Sequence, residues 1–257
     1  MRYIFAYYND KDPEIINQDD IIGYINYIKK NFNSGRDKCR MVAQSCSFFY
    51  KNILTVPYVI PSAFYPRKEF RLPNIMDEEQ IAHLLGSISN LKHKCMVGLF
   101  YGSGLRCSEL QQLKFSCIDS KHFQIKVEKG KGSRDRFTLL PKGLLDDLRN
   151  YFRQHRPKVY LFEGRTPGRP MHERSFQHAV RFCMVGAGFE YGKYTSHTLR
   201  HSFATHLLDN GVDLPTIKEL LGHVRIDTTI IYIHLQKKKR AALVSPLDNL
   251  LADEQAS

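Results

Sequence analysis

Four side chains toward the C-terminal end of this 257-residue chain carry the chemistry that most needs explaining: His197, Arg200, His223 and Tyr232. An arginine presents a planar fork that grips two phosphate oxygens at once. A histidine donates hydrogen bonds or moves protons near neutral pH. A tyrosine oxygen can attack phosphorus and remain attached as an ester. Together these residue types can hold a phosphate and attack it.

Short helices must position them. His197 and Arg200 are three apart, which places them on one helix face, while Leu199, Phe203 and Leu207 repeat every four residues as an apolar stripe. Ser196 reads as the cap of that helix and Asn210-Gly211 as its stop. Its N-terminal end then carries His197 and Arg200, where the helix dipole favours an anion. A second helix is predicted from Asp213 as cap, through Pro215 in the first turn, to Gly222, with His223 immediately after. Asp227-Thr228-Thr229 opens a third, in which Tyr232 lies among Ile230, Ile231, Ile233 and Leu235.

The order His-x-x-Arg, Leu-Gly-His, then a tyrosine helix resembles the tyrosine recombinases of the phage-integrase and Xer type. It runs from His197-Thr198-Leu199-Arg200-His201 through Leu220-Leu221-Gly222-His223 to Thr228-Thr229-Ile230-Ile231-Tyr232-Ile233-His234. The resemblance implies an upstream arginine, matched by Arg106 in Gly102-Ser103-Gly104-Leu105-Arg106-Cys107-Ser108-Glu109-Leu110. Leu105, Leu110 and Leu113 can pack there while Arg106 and Glu109 share another face. Glu109 is then a supporting residue that orients a neighbouring histidine or arginine. The resemblance also implies a lysine on a β-hairpin. His122 to Glu128 alternates like a half-buried strand, Lys129-Gly130-Lys131-Gly132-Ser133 reads as the turn, and Arg136 to Pro141 as the return strand. Lys131 matches the family's lysine, with Lys129 as its rival.

By resemblance, Tyr232 attacks the scissile phosphodiester and forms a covalent 3′-phosphotyrosine link. Arg106 and Arg200 hold the non-bridging oxygens, and His197 and His223 donate hydrogen bonds or move protons. Lys131 protonates the leaving 5′ oxygen. Strand exchange passes through a Holliday junction, with no cofactor, metal or ATP. Taken singly, each residue has a plainer reading: an exposed arginine is usually a solvated charge, and one tyrosine among fourteen usually packs. Six positions in one order, each inside an extended motif, outweigh those readings. His201, His206 and His234 read as helix-surface or packing histidines.

Composition is consistent with that reading. A formal charge of +12 favours a polyanionic partner, though ribosomal and membrane-surface proteins share this trait. Apolar content of 42% with 25% charged residues suits a soluble globular chain. No apolar run is long enough for a bilayer, and the N-terminus is too polar for a signal peptide. The six cysteines form no Cys-x-x-Cys pair and read as free thiols of a reducing cytoplasm, which by resemblance is the bacterial cytoplasm or nucleoid.

The expected fold is mainly α with a small β-hairpin or sheet, in two domains. Residues 1–72 read as a small helical domain, which by resemblance is the SAM-like core-binding domain that clamps DNA. Asp19-Asp20 caps a helix through Ile21, Ile22, Ile25 and Ile28, and a second helix spans Arg36 to Ile53. Family members begin this domain with a full helix; here only Met1 to about Asn9 precedes, so the domain reads as N-terminally shortened. The linker Tyr65 to Pro73 is rich in prolines and cations. Asp77 with Gln80 forms a capping box that opens the catalytic domain, 73–257. DNA contacts are expected at Arg67, Lys68, Arg71, Lys129, Arg134 and Lys237. From about 241 to 257, Leu247, Leu250 and Leu251 form an apolar tail which, by resemblance, docks on a neighbouring protomer. The partners implied are double-stranded recombination sites, further copies forming a tetramer on DNA, and accessory DNA-bending proteins; no membrane is involved.

Three other readings compete. A non-catalytic helix-turn-helix protein accounts for Asp213 to Leu235 but leaves Arg106 and Lys131 idle. A metal-dependent transposase or nuclease needs clustered carboxylates, and here they are scattered. A type IB topoisomerase shares the chemistry, but the paired small domain and the tail favour two-site recombination. The element served, whether mobile or a Xer-like resolution system, is not legible.

Overall fold

The computed structural model describes residues 2–32, 35–55, 72–128, 135–223 and 225–235. It divides into two compact units, Met1–Arg71 and Leu72–Ser257.

The first unit is helical among its described residues: α1 (Arg2–Tyr7), α2 (Gln18–Asn31) and α3 (Arg36–Asn52). The Tyr-rich N-terminal stretch therefore forms a short helix of its own. Capping of α2 differs from the expected Asp19-Asp20. Asn17 is the cap: its side chain accepts from the Asp20 amide at 2.9 Å, and the Asp20 carboxylate accepts from the Asn17 amide at 3.0 Å. An asparagine with an acidic residue three positions on satisfies two otherwise unpaired amides. Ile21, Ile25 and Ile28 of α2 pack against Cys39, Ala43, Cys46 and Tyr50 of α3. The long apolar side chains of Met41 and Phe48 point outward instead.

The second unit runs α4 (Glu78–Ser87), α5 (Leu91–Gly102) and α6 (Cys107–Gln112), then strands β1 (Ile118–Asp119), β2 (Gln124–Val127) and β3 (Arg136–Leu139). Helices α7 (Leu145–His155), α8 (Glu173–Gly186), α9 (Ser196–Asp209), α10 (Leu214–Leu221) and α11 (Asp227–Leu235) follow. The Asp77–Gln80 capping box is present at α4. Helix α5 is buried along Cys95 to Phe100 and packs against α7, α8 and α9, making it the axis of the unit.

The strands form one antiparallel sheet in the order β1-β2-β3, so β1 adds a strand to the expected hairpin. Register pairs Ile125 with Thr138 and Val127 with Arg136. Ile125 and Val127 are buried, as alternation requires. On β3 the inward residues are Arg136 and Thr138, while Phe137 and Leu139 face out. The sheet therefore turns an arginine toward the helices. No helix among the described residues is long and apolar enough to cross a membrane. None of the six cysteines is in a disulfide.

Candidate active site

A carboxylate organises the site. The chain leaves α5 at Ser103, turns at Gly104 and enters α6 at Arg106. Gly104 has φ +60, and a Cβ there would meet the Phe203 ring at 2.5 Å, so both conformation and space require glycine. Glu109, one turn into α6, accepts from the Arg106 amide and from Arg106 Nη1, each at 2.8 Å. The Arg136 fork meets the same carboxylate with Nη1 and Nη2, again at 2.8 Å each. Arg200 Nη1 lies 3.5 Å from Glu109 Oε2. Burial pushes the Glu109 carboxyl pKa up, but the hydrogen bonds and charge of Arg136, the Arg106 amide and Arg200 outweigh it, leaving a value of about 2.

Three guanidinium groups thus surround one carboxylate. They are not equivalent. Arg200 is buried, with Nη1 on the Gly104 carbonyl and Nη2 on the Leu221 carbonyl at 2.6 Å. Burial, then repulsion from Arg106, lowers its pKa to about 9, so it stays cationic at neutral pH. Arg136 is also buried, with Nε on the Leu220 carbonyl at 2.8 Å. The Arg106 side chain is 35% exposed. Its Nη1 serves Glu109 and the Leu221 carbonyl, while Nε and Nη2 have no partner among the described residues. Arg106 is therefore the most exposed guanidinium of the three, with donors open to an incoming anion.

The tyrosine sits beside this cluster. Tyr232 is 1% exposed, and its hydroxyl lies 3.1 Å from His201 Nδ1. The His223 ring stacks nearly parallel to it with centroids 6.5 Å apart, and His223 Nδ1 lies 2.9 Å from Thr229 Oγ1. Burial raises the Tyr232 pKa, against the pull of Arg200 and Arg106. The same burial, joined by the charges of Arg200 and Arg106, lowers that of His223 to about 4. His201 also falls to about 4, through burial first and then His197 and Arg200. Gly222 caps α10 with φ +62, and a Cβ there would press on Arg136 Cδ at 2.8 Å. The Leu-Gly-His turn therefore does three things: it supplies the Leu221 carbonyl to two arginines, makes room for Arg136, and delivers His223.

The structure brings Arg106, Glu109, Arg200, His223 and Tyr232 together. His197 lies at the solvent-exposed edge, near enough for its charge to lower the His201 pKa. It is exposed in a cleft with Gln177, Arg181 and Tyr194, and among the described residues it makes no hydrogen bond to the cluster. Thr195, not Ser196, caps α9, and Arg200 turns inward while His197, three residues before it, is exposed. Lys131, Lys129, Arg134, Arg67, Lys68, Arg71 and Lys237 lie outside the described residues.

Two neighbours of the cluster were not singled out by motif. His201, expected on the surface or in packing, touches the tyrosine hydroxyl; its signal is its place four residues after His197, one helical turn on. Arg136 gave no signal beyond its place at the start of the return strand. His206 matches its packing assignment, with Nδ1 3.0 Å from the Tyr101 hydroxyl.

Comparison with known proteins places this arrangement. Residues 74–239 match the model of the phage integrase family. The tyrosine recombinase XerD of Listeria innocua is 32% identical over 245 residues, covering 88% of this chain and 80% of that protein. The solved XerA recombinase superposes with a TM-score of 0.61 at 27% identity, covering 92% of this chain and 85% of XerA. XerH, solved on a palindromic difH substrate in a post-cleavage complex, shares the fold with a TM-score of 0.72 at 21% identity, covering 93% of this chain and 76% of XerH. The arginine–carboxylate cluster with a tyrosine beside it, the match over most of the chain and these relatives agree: the chain belongs to the phage integrase family and is a tyrosine-type site-specific recombinase.

Proposed function

We propose that this recombinase cuts and rejoins double-stranded DNA through a covalent link on Tyr232. The observation that carries the reading is the Tyr232 hydroxyl, held by His201 within the field of Arg200 and Arg106. In the forward step the tyrosine oxygen bonds to phosphorus as the bond from phosphorus to the 5′ oxygen breaks. The tyrosine loses its proton and the leaving oxygen gains one. One phosphoester replaces another, so the step stores its energy in the adduct and is reversible without ATP or a metal.

Negative charge spreads over the non-bridging oxygens during transfer, and cationic donors fixed in advance stabilise it most. Arg106, with donors open, is the first contact for phosphate, and Arg200 and Arg136 hold the field behind it. Glu109 is a positioning residue that fixes all three forks. His223 donates to the phosphate. His197 approaches from the adjoining cleft, and Lys131 protonates the 5′ oxygen. A 5′ hydroxyl from a second duplex then reverses the step, giving a Holliday junction.

The partners follow from the same reading. The duplex is a pair of recombination sites, as XerH was captured on its difH substrate. Residues 1–72 grip that duplex as a second DNA-binding domain, joined to the catalytic domain at 73–257. Four copies assemble on two sites through the tail at about 241–257. The service is to a mobile element or to Xer-like resolution, in the bacterial cytoplasm.

The test is a suicide duplex nicked next to the cleavage position, so that the short 5′ fragment diffuses away. Denaturing gels should show a protein–DNA adduct with the wild type and none with Tyr232→Phe. An adduct that persists in Tyr232→Phe, or none from the wild type on DNA it binds, refutes the mechanism.

A further inference from the structure

The tyrosine helix carries a second polar side chain into the site. Thr229 lies in the first turn of α11, three residues before Tyr232, so the two share a helix face. It is fully buried, and its Oγ1 lies 2.9 Å from His223 Nδ1. In the sequence Thr229 reads only as part of a helix start; the fold gives it a partner six residues back.

His223 is held from two sides. Its amide donates to the Lys218 carbonyl at 3.0 Å, just after the left-handed Gly222, so the end of α10 fixes where the residue sits. Its ring is held from α11, through Thr229. Burial, then the charges of Arg200 and Arg106, keep the imidazole pKa at about 4, so near neutral pH the ring carries a single hydrogen. Which nitrogen carries it is set by the hydrogen bond that the other nitrogen makes.

A hydroxyl has one hydrogen to give, and a buried one needs an acceptor. Among the described residues the Thr229 hydroxyl has one partner, His223 Nδ1. Were Nδ1 to hold the hydrogen and donate it, the hydroxyl hydrogen would be buried without an acceptor among those residues. An unsatisfied buried donor costs more than one ordinary hydrogen bond contributes. The hydroxyl therefore donates, Nδ1 accepts, and the ring hydrogen sits on Nε2, which has no hydrogen-bond partner among the described residues.

We propose that Thr229 is a positioning residue for strand transfer: its hydroxyl fixes the His223 ring and keeps the hydrogen on Nε2, which donates it to a non-bridging phosphate oxygen. One helix thus carries the nucleophile and aims the donor. Donation to phosphate rests on the recombinase reading; the position of the ring hydrogen does not, and it is tested without DNA.

Nitrogen-15 NMR of the free protein near neutral pH reads which imidazole nitrogen carries hydrogen, the His223 signals being those lost in His223→Gln. Wild type should show hydrogen on Nε2 and an accepting Nδ1; hydrogen on Nδ1 overturns the proposal. Single-turnover adduct formation on the nicked duplex at saturating DNA then compares two variants. Thr229→Val keeps the shape without the hydroxyl, and losing one net hydrogen bond should slow it by roughly 2- to 13-fold. Thr229→Ser keeps the hydroxyl and should recover the wild-type rate. A wild-type rate in Thr229→Val, or a Thr229→Ser as slow as Thr229→Val, overturns the assignment. Should melting show Thr229→Val unfolded, the wild-type ring signals and the Thr229→Ser rate still decide. Failure of the recombinase reading shows differently, as absence of a wild-type adduct whichever nitrogen holds the hydrogen.

Discussion

Replacing His201 probes how the nucleophile is aimed. His201 Nδ1 lies 3.1 Å from a Tyr232 hydroxyl that is otherwise buried. With its pKa near 4, the imidazole is neutral at physiological pH, and with its proton on Nε2 it accepts the phenolic hydrogen at Nδ1. In His201→Phe a ring of similar size remains but the acceptor is gone. A buried hydroxyl without its partner costs about 1–3 kcal/mol, and it turns to whatever acceptor it can find. Restoring the aligned hydroxyl for attack then adds that cost to the barrier. At 1.36 kcal/mol per tenfold, adduct formation should slow by roughly 5- to 150-fold. His201→Asn places an amide oxygen near the Nδ1 position and should recover most of the rate. The assay is single-turnover adduct formation on the nicked duplex at saturating DNA, with binding measured in parallel. Affinity should stay near wild type in both variants. If His201→Phe forms adduct at the wild-type rate, the contact does not aim the nucleophile and the reasoning fails. If His201→Asn is as slow as His201→Phe, the imidazole acts by something other than accepting that bond.

Other outcomes follow from the same site. Glu109→Gln removes the one carboxylate among three guanidinium groups, two of them buried, and should cost about 3–5 kcal/mol; thermal melting reads this as a Tm lower by several degrees, and an unchanged Tm refutes the organising role. Both His201 and His223 are held near 4 against an ordinary 6.5, so the unfolded chain binds more protons between those values. Their contribution to stability is therefore complete above about pH 6.5 and declines as pH falls toward 4. Melts at pH 7.5, 6 and 5 should show a falling Tm, less steep in His201→Asn; an equal slope in both proteins argues against it. Adduct yield should be unaffected by excess EDTA, and complete loss on chelation points instead to a metal-dependent nuclease.

Much of the helical framework was legible because its signals are local. Asp77 with Gln80, and Asp213 with Pro215 and Gly222, mark helix ends whose amides and carbonyls need partners within a few residues. Helix α5 gives no such reading, because it is buried on nearly every side and shows no polar face to set a period. Its place as the axis of the unit depends on the helices around it.

The sequence by itself determined which motifs supply the clustered residues of the candidate site. Arg106, Glu109, Arg200, His223 and Tyr232 sit in motifs whose turns require glycine at 104 and 222, and those requirements are written in the chain. Tertiary structure decided how the set is wired. Arg136 enters because β3 pairs with β2 in a register that turns its polar residues inward, and register depends on a partner strand. His201 meets Tyr232 only when α11 packs on α9. Arg200 is buried on the Gly104 and Leu221 carbonyls, while His197 stays exposed beside α8. Local spacing can say which residues share a turn, but not which turn faces which.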